Sequence, residues 1–377
     1  MNIVIIGCGV VGAAIAYELS LVKGLNITVF DQKAPAQAST GAALGVLMGV
    51  ISQKVKGNAW QIRQNSIRRY ETLIPELEAA TGRKIPCNRQ GIVMLLSEDS
   101  EHPLESGVEP LSEWEQLREI RQSQGWNLEV WEVEQLQKFC PQINHPKIIG
   151  AVYSPQDRQL NPTALTLALV DAAQRNGVKF QFDVTVEGME NPHAPKGLGT
   201  DQQCTSINTS AGKVSADWFI VSAGLGSKQI TKQFHQMVNI RPVLGQALFL
   251  SLGRLLGNAD FQPVITGNDV HIVPVGSGDY WVGATVEFPD DTDHIPANPD
   301  LLEAVRQQAI AFAPDLASAK ILRTWSGLRP RPEGRPAPVI GKLSGYSNVL
   351  LATGHYRNGV LLAPATASAI REMIVSK

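Results

Sequence analysis

The chain opens on an unbroken apolar run, residues 3–6 (IVII), suited to a central parallel strand buried on both faces. Gly7, Gly9 and Gly12 follow at once, and then Val11, Ala14, Ile15 and Leu19 recur at helical spacing over residues 10–21. ITVFD (27–31) reads as a second strand, so the first thirty-odd residues make a βαβ unit. Residues 66–82 form an amphipathic helix, with Ile67, Tyr70, Leu73, Ile74 and Leu77 on a packing face. A strand over 91–99 and a helix over 111–125 flank a Pro/Gly-rich exposed loop at 102–110. In the helix over 161–177, Asn161 is the cap, Pro162 the first helical residue and Gly177 the stop. VKFQF and the strand in ADWFIVSAGLGS follow, the latter ending in a glycine turn. Residues 240–290 hold several β-rich runs without helices between them, the mark of an antiparallel block. NVLLATG, HYRNG and LLAPATASAIREMIV then repeat the strand, turn and helix plan of the N-terminus, with Pro364 near the helix start.

With 377 residues, more than one domain is expected at roughly 150 residues each. The pattern predicts an α/β protein in which a Rossmann-like dinucleotide domain (1–85, 145–235 and 325–377) is interleaved with a smaller α+β substrate domain on an antiparallel sheet (86–144 and 236–324). A net charge of -2 removes the electrostatic term on which nucleic-acid and anionic-lipid binding depend, so neither partner is expected. No stretch reaches the length of a membrane-spanning helix, and integral membrane association is not expected. Cys8, Cys87, Cys140 and Cys204 are scattered and form no CxxC pair, which points to neither zinc nor disulfides and to a reducing, cytoplasmic compartment.

In the motif GCGVVG each glycine has its own mechanical role. Gly7 makes the tight turn, Gly9 lets the backbone approach a pyrophosphate closely, and Gly12 packs helix on strand. Val10 and Val11 open a helix whose N-terminus favours phosphate, and Asp31, followed by Gln32, stands at the spacing from which an acid takes a ribose hydroxyl. FAD and NAD share this fingerprint. A second helix N-terminus, after GHYRNG, would stabilise negative charge on a reduced flavin if NVLLATG lies in the same sheet; otherwise it is an ordinary connection.

Five segments, VIIGCGVVGAAIAYELS, TGAALGVLMG, DRQLNPTAL, TWSGLRPRPEGRPAPVIG and LLATGHYRNGVLLAPATASAI, together resemble the FAD-dependent D-amino-acid oxidase superfamily. The glycine oxidase branch associated with thiamine biosynthesis is the nearest match. The resemblance implies noncovalent FAD, since no cysteine stands in the C-terminal segments where relatives attach flavin covalently. It also implies oxidation of a small amino acid or amine: hydride leaves Cα for flavin N5, the imine hydrolyses to an oxo acid and ammonia, and oxygen reoxidises the flavin to give hydrogen peroxide. Arg329 matches the carboxylate-binding arginine, whose planar fork donates two parallel bonds; the competing reading is an ion-pair residue among Arg323, Arg331 and Arg335. His355, Tyr356, Arg357, Asn358, Gly359, Val360 and Leu361 match the turn lining flavin and substrate, with Arg357 in an active-site role or else a solvated loop residue. Ala42, Ala43, Leu44, Gly45, Val46 and Leu47 match the Ala/Gly segment against the flavin, Val186 the adenine contact, and Ala223 and Gly224 the strand end facing the dinucleotide.

Four positions depart from the pattern. His271 replaces a tyrosine that helps hold the carboxylate, and reads either as a hydrogen-bond donor to substrate or as a satisfied histidine within a sheet. Val275 replaces an arginine, Val46 a methionine and Asp31 a glutamate. The resemblance thus implies an oxidase for glycine, a small D-amino acid or a secondary amine. The alternatives are a dehydrogenase using an acceptor other than oxygen, a flavoprotein without turnover, and an NAD-linked dehydrogenase. Dimers or tetramers are frequent among such proteins, making a homo-oligomer a further expectation.

Overall fold

The computed structural model describes residues 1–98, 110–190, 201–290 and 293–375. All but one of the residues expected in the loop at 102–110 lie outside this set, and residue 110 begins a helix.

A six-stranded sheet runs in the order Val339–Lys342, Val349–Thr353, Trp218–Val221, Asn2–Ile6, Asn26–Phe30, Lys179–Gln181, parallel except for its first strand. Residues 3–6 are buried, as a central strand covered on both faces requires. On one face pack the helices Val10–Ser20, Gly57–Thr81, Pro162–Arg175 and Gly359–Val375. On the other lies a small antiparallel sheet of Val186–Glu190, Ser206–Thr209 and Gly212–Ser215, sharing a core with Val4, Phe30 and Phe219. The helix Val10–Ser20 is buried on nearly every side, and short residues allow it to sit so deep: Ala13, Ala14 and Ala16 bury almost completely. The Asn161 side chain caps the Pro162–Arg175 helix by accepting from the Ala164 amide at 2.9 Å, as its sequence foretells.

Two helices begin earlier than their sequence signals. The helix expected over 66–82 starts at Gly57, where no side chain caps it, although its predicted packing face is buried as expected. The C-terminal helix starts at Gly359, which moves Pro364 from the first turn into the helix interior. Proline cannot donate to the carbonyl four residues back. That carbonyl, Val360 O, instead accepts from the buried Tyr70 hydroxyl, and Ser66 Oγ accepts from the next amide, Ala365, at 3.3 Å. The Gly57–Thr81 helix thereby repairs the break its neighbour carries.

The second sheet has eight strands: Lys320–Pro332, Ile240–Ser251, Asp279–Gly283, Val270–Gly276, Val264–Gly267, Ile92–Ser97, Ile148–Ser154 and Glu129–Trp131. It is antiparallel apart from the pairing of Val264–Gly267 with Ile92–Ser97. The helices Pro299–Phe312 and Val133–Phe139 close its core. Sequence reasoning puts Ile148–Ser154 with the dinucleotide unit, but its ladder runs to Ile92–Ser97 in this sheet; likewise Lys320–Pro332 is one strand crossing the expected boundary at 325. No helix among the described residues is long and apolar enough to cross a membrane.

Candidate active site

A cavity of about 800 Å³ opens beyond the carboxyl ends of the parallel strands, where Ile6, Phe30, Ser222 and Thr353 meet it, and extends to one face of the eight-stranded sheet. Ligands of open α/β sheets occupy this position. The volume falls within the range typical of ligand and cofactor sites, roughly 300–1,000 Å³.

The glycine turn forms one end. Gly7 has φ +105°, and a Cβ there would stand 2.6 Å from Ser222 O; at Gly12 it would stand 1.9 Å from Gly7 O. Gly7, Gly9, Val10 and Val11 line the cavity, whereas Gly12 serves the packing beneath it. The Asp31 carboxylate accepts from the backbone amides of Cys8 at 2.6 Å and Lys33 at 2.9 Å, which fixes it at the rim beside Gln32. Thr40 Oγ1 accepts from the Val10 amide at 3.1 Å. Cys8 also lines the cavity; burial, and then the Asp31 charge, push its thiol far up, so it stays protonated. The four cysteines are free.

Along the middle, Ala42, Ala43, Leu44, Gly45 and Val46 line the wall. Gly45 has φ +75°, and a Cβ would fall 1.8 Å from Leu160 O, so only glycine fits the turn. Trp325 Nε1 donates to Ala42 O at 3.0 Å and Gln159 Nε2 to Leu44 O at 2.9 Å, tying the segment to both halves of the protein. Val186, Ala223 and Gly224 line the cavity too, and so do Val184 and Thr185.

NVLLATG does lie in the six-stranded sheet, which meets the condition set by the sequence argument: Gly359 and Val360, at the N-terminus of the last helix, face the cavity together with His355, Tyr356 and Arg357. His355 Nε2 lies 3.0 Å from Thr366 Oγ1. Because that hydroxyl donates to Leu362 O, the histidine supplies the proton to the pair, and burial lowers its pKa to about 4. Besides Gly12, three expected cofactor residues do not reach the lining. Leu47 and Leu361 are buried in the core, and Asn358 sits within the short 3-10 turn Tyr356–Asn358, its backbone amide bound to His355 O.

The eight-stranded sheet supplies the other end. Arg329 pairs with Val243 across the ladder, Gly245 lies two residues along from Val243, and Ala247, Gly283 and His271 stand in one cross-strand row. Alternation places all of them on one face. Arg329 Nη1 donates to Leu244 O at 3.0 Å and Thr285 O at 2.9 Å, and among the described residues no carboxylate pairs with it. Burial, and then Arg357, lower its pKa. The ion-pair reading of Arg329 therefore gives way to a guanidinium braced by backbone, with Nη2 and Nε hydrogens to spare. Gly245 makes the space: a Cβ there would lie 2.2 Å from Arg329 Nη2. Sequence reasoning passed over Gly245, although a glycine inside a strand signals close approach of another group. Arg357 lines the cavity from its turn and makes two bonds to Asp269, while remaining exposed to solvent on its other side. Burial pulls its pKa down, and the bond to Asp269 more than restores it. His271 is not a satisfied sheet histidine: its buried Nδ1 has no partner, and burial followed by Arg357 lowers its pKa to about 4, leaving it neutral. Val275 is exposed and lies outside the lining, so the missing arginine there leaves the cavity wall unaltered.

Comparison with known proteins agrees with this geometry. At 30% identity the chain aligns over its whole length with a bifunctional ThiO/ThiG protein of Nostoc sp., and spans 53% of that relative. The chain thus covers about half the length of the first curated relatives it matches. It is 28% identical to a glycine oxidase of Bacillus licheniformis, with 99% of this chain and 92% of the relative covered. Its fold superposes on a glycine oxidase of Bacillus cereus with a TM-score of 0.81 at 23% identity, covering 100% of this chain and 95% of the other. An L-proline dehydrogenase of P. horikoshii superposes with a TM-score of 0.83 at 20% identity, covering 100% and 93%. Residues 2–373 match the FAD dependent oxidoreductase family, and the chain belongs to it.

Proposed function

We propose that this chain oxidises glycine, a small D-amino acid or a secondary amine to the imine, which water converts to an oxo acid and ammonia, or to a carbonyl and a primary amine where the substrate is secondary, with oxygen as the electron acceptor, reduced to hydrogen peroxide. The observation that carries the reading is Arg329, half-buried, braced by two carbonyls and without a carboxylate partner among the described residues, on the cavity that begins at the glycine turn. Such a group takes a carboxylate with two parallel charge-assisted bonds and holds it in one orientation.

The residues present fit FAD. A dinucleotide pyrophosphate needs backbone without side chains, which Gly7 and Gly9 provide, and Asp31 would take the ribose. The flavin would lie along residues 42–46, with the last helix aiming its N-terminus into the same space. Bound FAD supplies the electron sink for the substrate's Cα–H bond. The protein orients the carboxylate through Arg329, presents a neutral His271 that can accept or donate a hydrogen bond without adding charge, and encloses the reacting carbon among Leu44, Val46 and Ala247. Glycine oxidase is the activity named for several relatives, and we extend it to this chain.

A panel of glycine, sarcosine, D-alanine and D-proline assayed for peroxide tests the proposal. Turnover of at least one, abolished in Arg329→Lys, is the expected result. Flavin reduction by these compounds without peroxide would favour the dehydrogenase reading, and no reduction by any of them would reject the amino-acid oxidase reading.

A further inference from the structure

Two arginines act on the ligand face around His271, and they differ in one respect. Arg329 has no carboxylate partner among the described residues, whereas Arg357 is bound by Asp269 through Nη1–Oδ2 at 3.2 Å and Nη2–Oδ1 at 2.9 Å. The partners come from separate parts of the chain. Arg357 sits in the 3-10 turn after the Val349–Thr353 strand. Asp269 sits in the tight Asn268–Asp269 turn between Val264–Gly267 and Val270–Gly276, with both turn residues at positive φ, 46° and 63°. Arg357 lines the cavity and Asp269 does not; the aspartate side chain is 66% exposed. Asp269 therefore reaches Arg357 from the solvent side and cancels its charge at the cavity wall. An ion pair with one partner so exposed adds little to folding. Its effect falls instead on what enters the cavity, because His271 and Arg329 both feel the fields of Arg357 and Asp269.

We propose that Asp269 sets the charge class of the substrate: by occupying Arg357 it leaves Arg329 to bind a single carboxylate, so that amines with one acidic group are accepted and those with a second are rejected. The proposal rests on the amino-acid oxidase reading above and narrows it. A second carboxylate near Arg357 would have to displace Asp269, and would meet that aspartate's charge while doing so. Glu287 and Tyr356 are the other titratable groups acting on Arg329; the Glu287 carboxylate is taken up by Gln246, Thr285 and the Asn298 amide.

The test compares the FAD-loaded full chain with its Asp269→Asn and Asp269→Glu variants. D-Alanine and D-aspartate differ by one carboxylate, so the ratio of their kcat/KM values isolates the charge class. In D269N the D-aspartate to D-alanine ratio should rise about tenfold, the size of one charge-assisted hydrogen bond gained. In D269E it should stay near that of the parent, and the rise in D269N should shrink with added salt. Calorimetric Kd values for malonate and acetate give the same ratio without turnover. A parent enzyme that takes D-aspartate as readily as D-alanine, or a D269N ratio within twofold of the parent in both assays, overturns the proposal. If no amino acid is turned over at all, the oxidase reading fails, and the malonate to acetate ratio still decides the role of Asp269.

Discussion

Replacing Gly245 with alanine tests whether the Arg329 guanidinium works through its placement. The backbone there is ordinary strand, so alanine brings no φ strain and removes unfolded-state freedom worth about 0.4–1 kcal/mol. Its methyl group, however, would lie 2.2 Å from Arg329 Nη2 and 2.5 Å from Cζ and Nη1. Ordinary contact needs ~3.5 Å, so the guanidinium must retreat by more than ~1 Å. It is not a loose chain end, because Nη1 is held by Leu244 O and Thr285 O. Retreat loosens both bonds, each worth roughly 1.5–3 kcal/mol as a charged hydrogen bond, and swings the remaining donors off the ligand. A displacement of this size costs on the order of a hundredfold in rate when it disturbs a positioning group. The expected result for G245A is a kcat/KM about a hundredfold below the parent and an acetate Kd at least about tenfold weaker, with FAD retained. An acetate Kd within twofold of the parent would refute the steric argument, and loss of FAD would show that Gly245 serves the fold instead.

Other perturbations reach different parts of the account. Gly12→Ala places a Cβ 1.9 Å from Gly7 O, so the variant should lose FAD, read as absence of the visible band after purification, although Gly12 never touches the cavity. His355 has a folded pKa of about 4 against an ordinary 6.5, so the unfolded chain binds the extra proton between these values. Stability should be full above pH 6.5 and fall as pH drops toward 4, by about 3 kcal/mol in all, and denaturant titrations should show a shallower fall in His355→Gln. Acid precipitation should release the yellow chromophore into the supernatant, because Cys8, the cysteine nearest the glycine turn, is held as a thiol; colour in the pellet would contradict this.

What could be read from the sequence was carried by neighbours in the chain. A doubly buried strand, a glycine turn and a helix of period 3.6 are local patterns, and they located both the first βαβ unit and the C-terminal strand, turn and helix. Asn161 and Pro162 likewise announced their helix by chemistry within four residues. Contacts between distant segments were not legible. Asp269 lies 88 residues before Arg357, and Thr40 caps the Val10 amide across 30 residues. The interior position of Pro364 was hidden for the same reason, since the group that satisfies Val360 O is a tyrosine 290 residues away. Ile148–Ser154 reads as an apolar strand wherever it is placed, and only its pairing with Ile92–Ser97 assigns it to the eight-stranded sheet. The register of the long sheet is what sets Gly245 beside Arg329, and no local pattern encodes that register.

The central claim is that a guanidinium at residue 329 fixes a small amino acid against FAD in the cavity between the two sheets. Anaerobic mixing of the purified protein with glycine and D-alanine measures this directly through the visible flavin band. The account predicts bleaching in the parent and at least about a hundredfold slower bleaching in Arg329→Lys, whose charge remains but whose fork is lost. Bleaching of the lysine variant at the parent's rate, or a parent that no small amino acid bleaches, would contradict it.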